Sequence, residues 1–210
     1  MSADVLTLDD ILDLRAYERV REGYRSQVMA LKRRRRIALG PIMTLVFECF
    51  DTVRFQVQEM ARAERIVTDE GILAELEVYN RLLPSAGELS ATLFIELTTP
   101  EDLRRWLPAL VGVERSIGFE LPDPGGGPPT VVRSVPEGEH ARALTRESVT
   151  PAVHYVRFPF SGPEVAGFGA APVALAVDHP EYQARTLLDD EVRDELLGDL
   201  TARTVAIPLA

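Results

Sequence analysis

The chain has 210 residues, 46% of them hydrophobic, enough to bury a substantial core and suited to one domain with at most an appended element. A net charge of −10 argues against general affinity for nucleic acid or anionic membranes, because phosphate binding depends on accumulated Lys and Arg. One cysteine, Cys49, excludes an internal disulfide and any paired-cysteine metal or redox motif, and a small buried apolar role is expected of it.

The N-terminus, MSADVLTLDD, is acidic where a secretory signal would be basic, and no apolar run approaches the ~20 residues that span a bilayer, so a cytoplasmic protein is expected. Thr7 with Asp10 three residues on is close to a capping box. Leu8, Ile11, Leu12, Val20, Val28 and Leu31 then keep helical spacing, which fits two helices or one helix kinked at Gly23. The basic run Lys32 to Arg36 reads as a solvated helix C-terminus, where cations favour the macrodipole. An anion or RNA contact is the other reading, and the net charge disfavours it.

Ile37 to Leu39 and Met43 to Phe47 read as short strands around Gly40-Pro41. The stretch Phe47 to Val67 is the one around which the chain is organised. Val53, Phe55 and Val57 alternate as in a strand, but the stripe Val53, Val57, Met60, Val67 continues at about 100° per residue after the alternation ends. The reading is therefore strand to about Phe47 and a helix from Asp51 to about Val67, with Asp51 as acceptor for the first-turn amides. Arg54, Gln58, Arg62 and Arg65 form its polar face. Glu64 projects on the apolar side, where a carboxylate must be at the rim, paired or used.

A further helix is expected over 69–80, with Ile72, Leu73, Leu76 and Tyr79 buried, then a strand from Ala91 to Leu97. Thr99-Pro100-Glu101 starts a helix reaching about Val111, in which Trp106 packs, and Ile117 to Leu121 is a strand. Residues 122–150 read as a surface loop region that includes a solvated His140. Its PDPGGGPP segment is no phosphate cradle, since no GKS or GKT follows and the prolines remove donors. GFGAAP at 167–172 is no dinucleotide fingerprint, because Pro172 and a strand follow where a helix should begin.

Two strands, AVHYVRFPF at 152–160 and PVALAVDHPEY at 172–182, remain. Alternation puts His154, Val156 and Phe158 on one face of the first and Val173, Leu175, Val177 and His179 on one face of the second. If they pair antiparallel through the Gly-rich connection, His154 and His179 share an end and a side. With a carboxylate, Glu64 foremost and Glu96 or Asp178 otherwise, they could form the two-His-one-carboxylate face that suits iron or another divalent metal. Gln56, Glu59 and Arg62 would then stand behind the metal or face a partner. The plainer reading is two rim histidines bonded to backbone or carboxylates. From Leu187 to about Ala202 an acidic helix carries the seam Leu188, Val192, Leu196 and Leu200, able to dock on the core or on a second subunit, which leaves a homo-oligomer open. The expected fold is α+β: a single domain over 1–186, mostly antiparallel sheet with N-terminal, central and C-terminal helices packed on it, and an acidic helix and tail over 187–210.

The runs RRIALGP, FECFDTVRFQVQEMARAERI, EVYNRLLP, LSATLFIEL, AVHYVRF and VDHPEY resemble, in sequence and order, the bacterial domain-of-unknown-function family 3501, over most of residues 5–183. Where members often have Asn after the Phe-Glu pair, this chain has Cys49. The resemblance supplies no catalytic residue. It implies a setting beside rubrerythrin and an iron–sulfur oxidoreductase, hence oxidative-stress defence or iron redox chemistry, with rubrerythrin or an iron–sulfur protein as partner. Three function classes follow: a metal-binding or accessory protein of that system; an enzyme acting on a small anionic substrate through Arg54, Arg62 and Arg65 with a His as general base; and a structural interaction module without a metal.

Overall fold

The computed structural model describes residues 5–138, 148–201 and 206–208. Gly40 makes the first turn. It takes a φ of 66°, and a Cβ there would lie 2.4 Å from the Tyr182 hydroxyl, so the tight link between β1 (Arg36–Leu39) and β2 (Met43–Glu48) excludes a side chain. β2 pairs with β3 (Glu88–Ile95), β3 with β7 (Val153–Pro159), and β7 with the short β6 (Val135–Pro136), giving a five-stranded sheet in the order β1-β2-β3-β7-β6. A second sheet has the order β5-β4-β8-β9, from β4 (Ile117–Leu121), β5 (Thr130–Arg133), β8 (Ala174–His179) and β9 (Tyr182–Leu187). Every pairing is antiparallel. The protein is an α+β single domain, as the sequence implies, but its strands divide between two sheets.

The sheets stack through aromatic side chains. Phe119 of β4 lies 5.6 Å, centroid to centroid, from Phe47 of β2 and 5.0 Å from Phe158 of β7. Phe160 and Phe168 close the group at 5.7 and 5.5 Å from Phe119. Alternation is the cause: in β7 His154, Val156 and Phe158 are buried, and the residues between them are only half-buried.

Phe168 belongs to a helix, α5 (Gly162–Ala170), where the sequence reading has a Gly-rich connection between two strands. Ser161 and Glu164 make a capping box, with Glu164 Oε2 accepting from the Ser161 amide at 2.7 Å and its hydroxyl at 2.6 Å. Glycine and alanine dominate the sequence and hide the period. The edge strand β9 carries little apolar signal, since of its six residues only Tyr182 is buried.

Among the described residues the remaining helices are α1 (Leu14–Arg34), α2 (Phe50–Glu64), α3 (Asp69–Tyr79), α4 (Pro100–Ala109) and α6 (Asp190–Leu200). Asp13, not Thr7, caps α1 by accepting from the Ala16 amide at 2.8 Å; Thr7 and Asp10 enclose a single 3-10 turn, Leu8–Asp10. Gly23 lies inside α1 without ending it. Val53 and Val57 of α2, Leu76 of α3 and Leu6 form a second apolar cluster, against which Tyr155 packs from the outer face of β7. Tyr17, Tyr24 and Val28 of α1 meet Phe55 of α2 in a third. Leu73, expected in the stripe of α3, is half exposed. Leu188, Val192, Leu196 and Leu200 join the main core, so α6 docks on its own chain. Among the described residues no helix is long and apolar enough to cross a membrane.

Candidate functional site

Among the described residues, Glu48, Asp51, Thr52, Arg54, Gln58, Ser90 and Thr92 are buried polar groups on or beside α2. Glu48, the last residue of β2, points to the outer face of its sheet, where Thr92 Oγ1 and Thr52 Oγ1 each donate to its carboxylate at 2.6 Å. Thr52 Oγ1 also accepts from the Cys49 amide at 2.9 Å and so caps the helix. Cys49 is buried as expected, and burial pushes its thiol pKa up, against the pull of Arg35, which leaves it protonated and unreactive.

Asp51, Arg54, Gln58 and Arg62 follow at i, i+3, i+7 and i+11, a single stripe of the helix. The polar face expected there exists, but at Arg54 and Gln58 it is buried. Arg54 Nη2 donates to Asp51 Oδ1 at 2.6 Å and Arg54 Nε to the Tyr24 hydroxyl at 3.0 Å. The guanidinium also lies over the rings of Tyr24 and Phe50, at 5.2 and 5.4 Å. Burial raises the Asp51 pKa, opposed by the Ile207 amide and Arg54. Burial likewise pushes Tyr24 up to about 12.

These side chains grip backbone. Asp51 Oδ2 accepts from the Ile207 amide at 3.0 Å, and Arg54 Nη2 donates to the Ile207 carbonyl. Gln58 accepts from the Leu12 amide at 3.0 Å and donates to the Leu12 carbonyl at 2.8 Å. Asn80, just after α3, does the same for Leu6 at 2.9 and 3.0 Å. Arg62 pairs with Glu18 at 2.7 Å, and Glu59 accepts from the Tyr17 hydroxyl at 2.7 Å and from Arg21 twice at 2.8 Å. The Arg21 bond leads in holding the Glu59 carboxyl below its usual range. Glu59 and Arg62 therefore bind α1, and Gln56 is half-buried on the same helix. Of the proposed anion face, Arg54 and Arg62 are engaged, and Arg65 ends α2 in a left-handed conformation, exposed.

The basic run is also not simply solvated. Arg35 is fully buried, donating to Glu195 at 2.8 Å and to Asp199 at 2.6 and 2.9 Å on α6. No local spacing announces this, since the partners stand about 160 residues away.

The two histidines lie in different sheets, because β7 and β8 do not pair; β8 pairs with β4 and β9 instead. His154 Nε2 is 3.0 Å from Thr150 Oγ1, and its Nδ1 is 4.0 Å from Oε2 of Glu114, in the 3-10 turn Val113–Arg115. That Oε2 is buried without a hydrogen-bond partner. Burial lowers the His154 pKa, with Glu114 pulling it back. His179 Nδ1 accepts from the Glu181 amide at 3.3 Å, so its Nε2 donates to the Val111 carbonyl at 3.2 Å. Glu64 is exposed at the end of α2. Glu96 bonds Arg36 and Thr44, and Asp178 bonds Gln183. Among the described residues no three His, Cys, Asp or Glu side chains come together as a metal site, and His140 lies outside those residues. Glu114 was missed by the sequence reading, where it is one acid among 33 acidic residues.

The model of the DUF3501 family, described as a protein of unknown function, matches residues 5–200. The chain belongs to this family. A crystal structure at 1.90 Å of a novel protein of unknown function from Burkholderia pseudomallei K96243 is similar, with 34% identity and a TM-score of 0.82, covering 94% of this chain and 100% of that one. No curated protein matches. The DUF3501 match runs through α6, which the sequence motifs alone left outside.

Proposed function

We propose that this DUF3501 protein is an accessory component that works by holding a protein partner. The observation that supports this reading is the triple use of paired side-chain donors and acceptors to grip peptide groups, at Leu6, Leu12 and Ile207. Side chains arranged this way recognise polypeptide backbone. The gene setting implied by the family resemblance supplies the partner class: rubrerythrin or an iron–sulfur protein, in a system handling oxidative stress or iron redox chemistry. The metal-binding form of this reading has one observation behind it, the unpartnered Glu114 oxygen beside His154, and needs a third ligand that the described residues do not supply.

Isothermal titration calorimetry of the purified chain against rubrerythrin and against the iron–sulfur oxidoreductase of its own organism tests the proposal. A saturable complex with one of them, in the micromolar range or tighter, is expected. Absence of heat and of co-sedimentation with both would remove the accessory reading.

A further inference from the structure

A buried ion pair seldom stabilises a fold more than apolar residues of the same shape would. Asp51 and Arg54 are nonetheless 2% and 6% exposed, in the first two turns of α2, beside the buried Val53 and Phe55. Having satisfied each other, they direct Asp51 Oδ2 and the Arg54 guanidinium at one residue, and meet both polar groups of its backbone, the Ile207 amide and carbonyl. The Ile207 side chain rests on the cluster of Tyr17, Tyr24, Val28 and Phe55. Main-chain bonds for affinity and an apolar notch for selection are the elements of extended-peptide capture. The grips on Leu6 and Leu12 differ: they use neutral amides and hold the stretch that leads into α1. The charged grip holds residues 206–208, which follow α6 in the chain after residues 201–205.

We propose that Asp51, Arg54 and Tyr24 form a peptide-binding slot for an extended, uncharged partner segment bearing a branched aliphatic residue, with the chain's own residues 206–208 as a built-in competitor. The slot opens to the partner when the tail leaves. The tail is covalently part of the chain that carries the slot, so a free peptide competes poorly with it. The inference rests on the accessory reading only for the existence of a partner, because capture by the slot is measurable without one.

The probe is a fluorescein-labelled peptide of residues 204–210, Thr-Val-Ala-Ile-Pro-Leu-Ala, followed by anisotropy. The acceptor is the chain ending at Thr201, or, if circular dichroism shows that chain unfolded, the full chain carrying Ile207→Asp. Saturable binding to the acceptor is expected, with the intact chain binding at least about tenfold more weakly. Replacing isoleucine in the peptide by its α-hydroxy analogue removes the N–H that donates to Asp51 without touching the protein, and is expected to weaken binding about tenfold. No binding to a folded acceptor, equal binding by the intact chain, or an α-hydroxy peptide as tight as its parent would overturn the proposal. A dimer of the intact chain that Ile207→Asp abolishes would assign the slot to tail exchange between two copies and overturn the partner assignment. A rubrerythrin complex without peptide capture would leave the accessory reading standing and this inference fallen.

Discussion

A carboxylate taken out of water needs hydrogen-bond donors, and Glu48 and Glu114 differ in what they find. Glu48 has two hydroxyls at 2.6 Å. Glu114 has one oxygen without a partner and an imidazole nitrogen 4.0 Å away. His154 is 6% exposed, and burial depresses its pKa below the ordinary 6.5. A histidine depressed in the folded state binds fewer protons there than in the unfolded chain. Stability then rises with pH between the folded and unfolded values, and the contribution is lost as pH falls below about 6.5. His154→Gln keeps a group that can bond Thr150 and cannot titrate. Urea midpoints measured from pH 5 to pH 7.5 are expected to show a smaller loss toward acid in the variant than in the parent. Parallel profiles would mean that His154 does not titrate between the two states.

At the level of elements, α2 and α6 owe their positions to charges whose partners are distant in sequence. α6 carries Glu195 and Asp199 one turn apart, and Arg35 closes on both from the end of α1. Replacing only the arginine leaves acids with little access to water, which costs about 3–5 kcal/mol where a buried pair is broken. Arg35→Met is therefore expected to lower the denaturation free energy by about that amount, and Arg35→Met with Glu195→Gln and Asp199→Asn to recover part of it. A loss under about 1 kcal/mol in the single variant would show the cluster to be solvated. This geometry also sets what could be read from the sequence. The Thr99-Pro100-Glu101 start announces α4, the apolar stripe announces α3 and alternation announces β7, because those signals are local. Arg54 to Ile207 and Arg35 to Asp199 span 153 and 164 residues, and no spacing rule reaches that far.

For the whole molecule, the decisive arrangement is which strands share a sheet. β7 and β8 are close in the chain and both alternate, so local reasoning pairs them and brings His154 to His179; the helix α5 between them carries the chain across to the other sheet instead. Both histidines do sit on buried faces, as the alternation implied, but the faces belong to different layers. Phe119 joins those layers, touching Phe47 and Phe158 of one sheet and Phe168 of α5. The main core draws residues from both sheets and from α6, so removing Phe119 should loosen them together. Phe119→Ala is expected to cost about 3–5 kcal/mol, the usual penalty for deleting a buried ring. The single tryptophan, Trp106, packs edge-on against Tyr182 at 5.8 Å and reports the second sheet, while far-ultraviolet circular dichroism reports mainly the helices. Both signals should move to the same lower denaturant midpoint. If fluorescence shifts and dichroism stays, the helices over the first sheet hold without the sandwich, and the protein contains two cooperative units where the shared core predicts one.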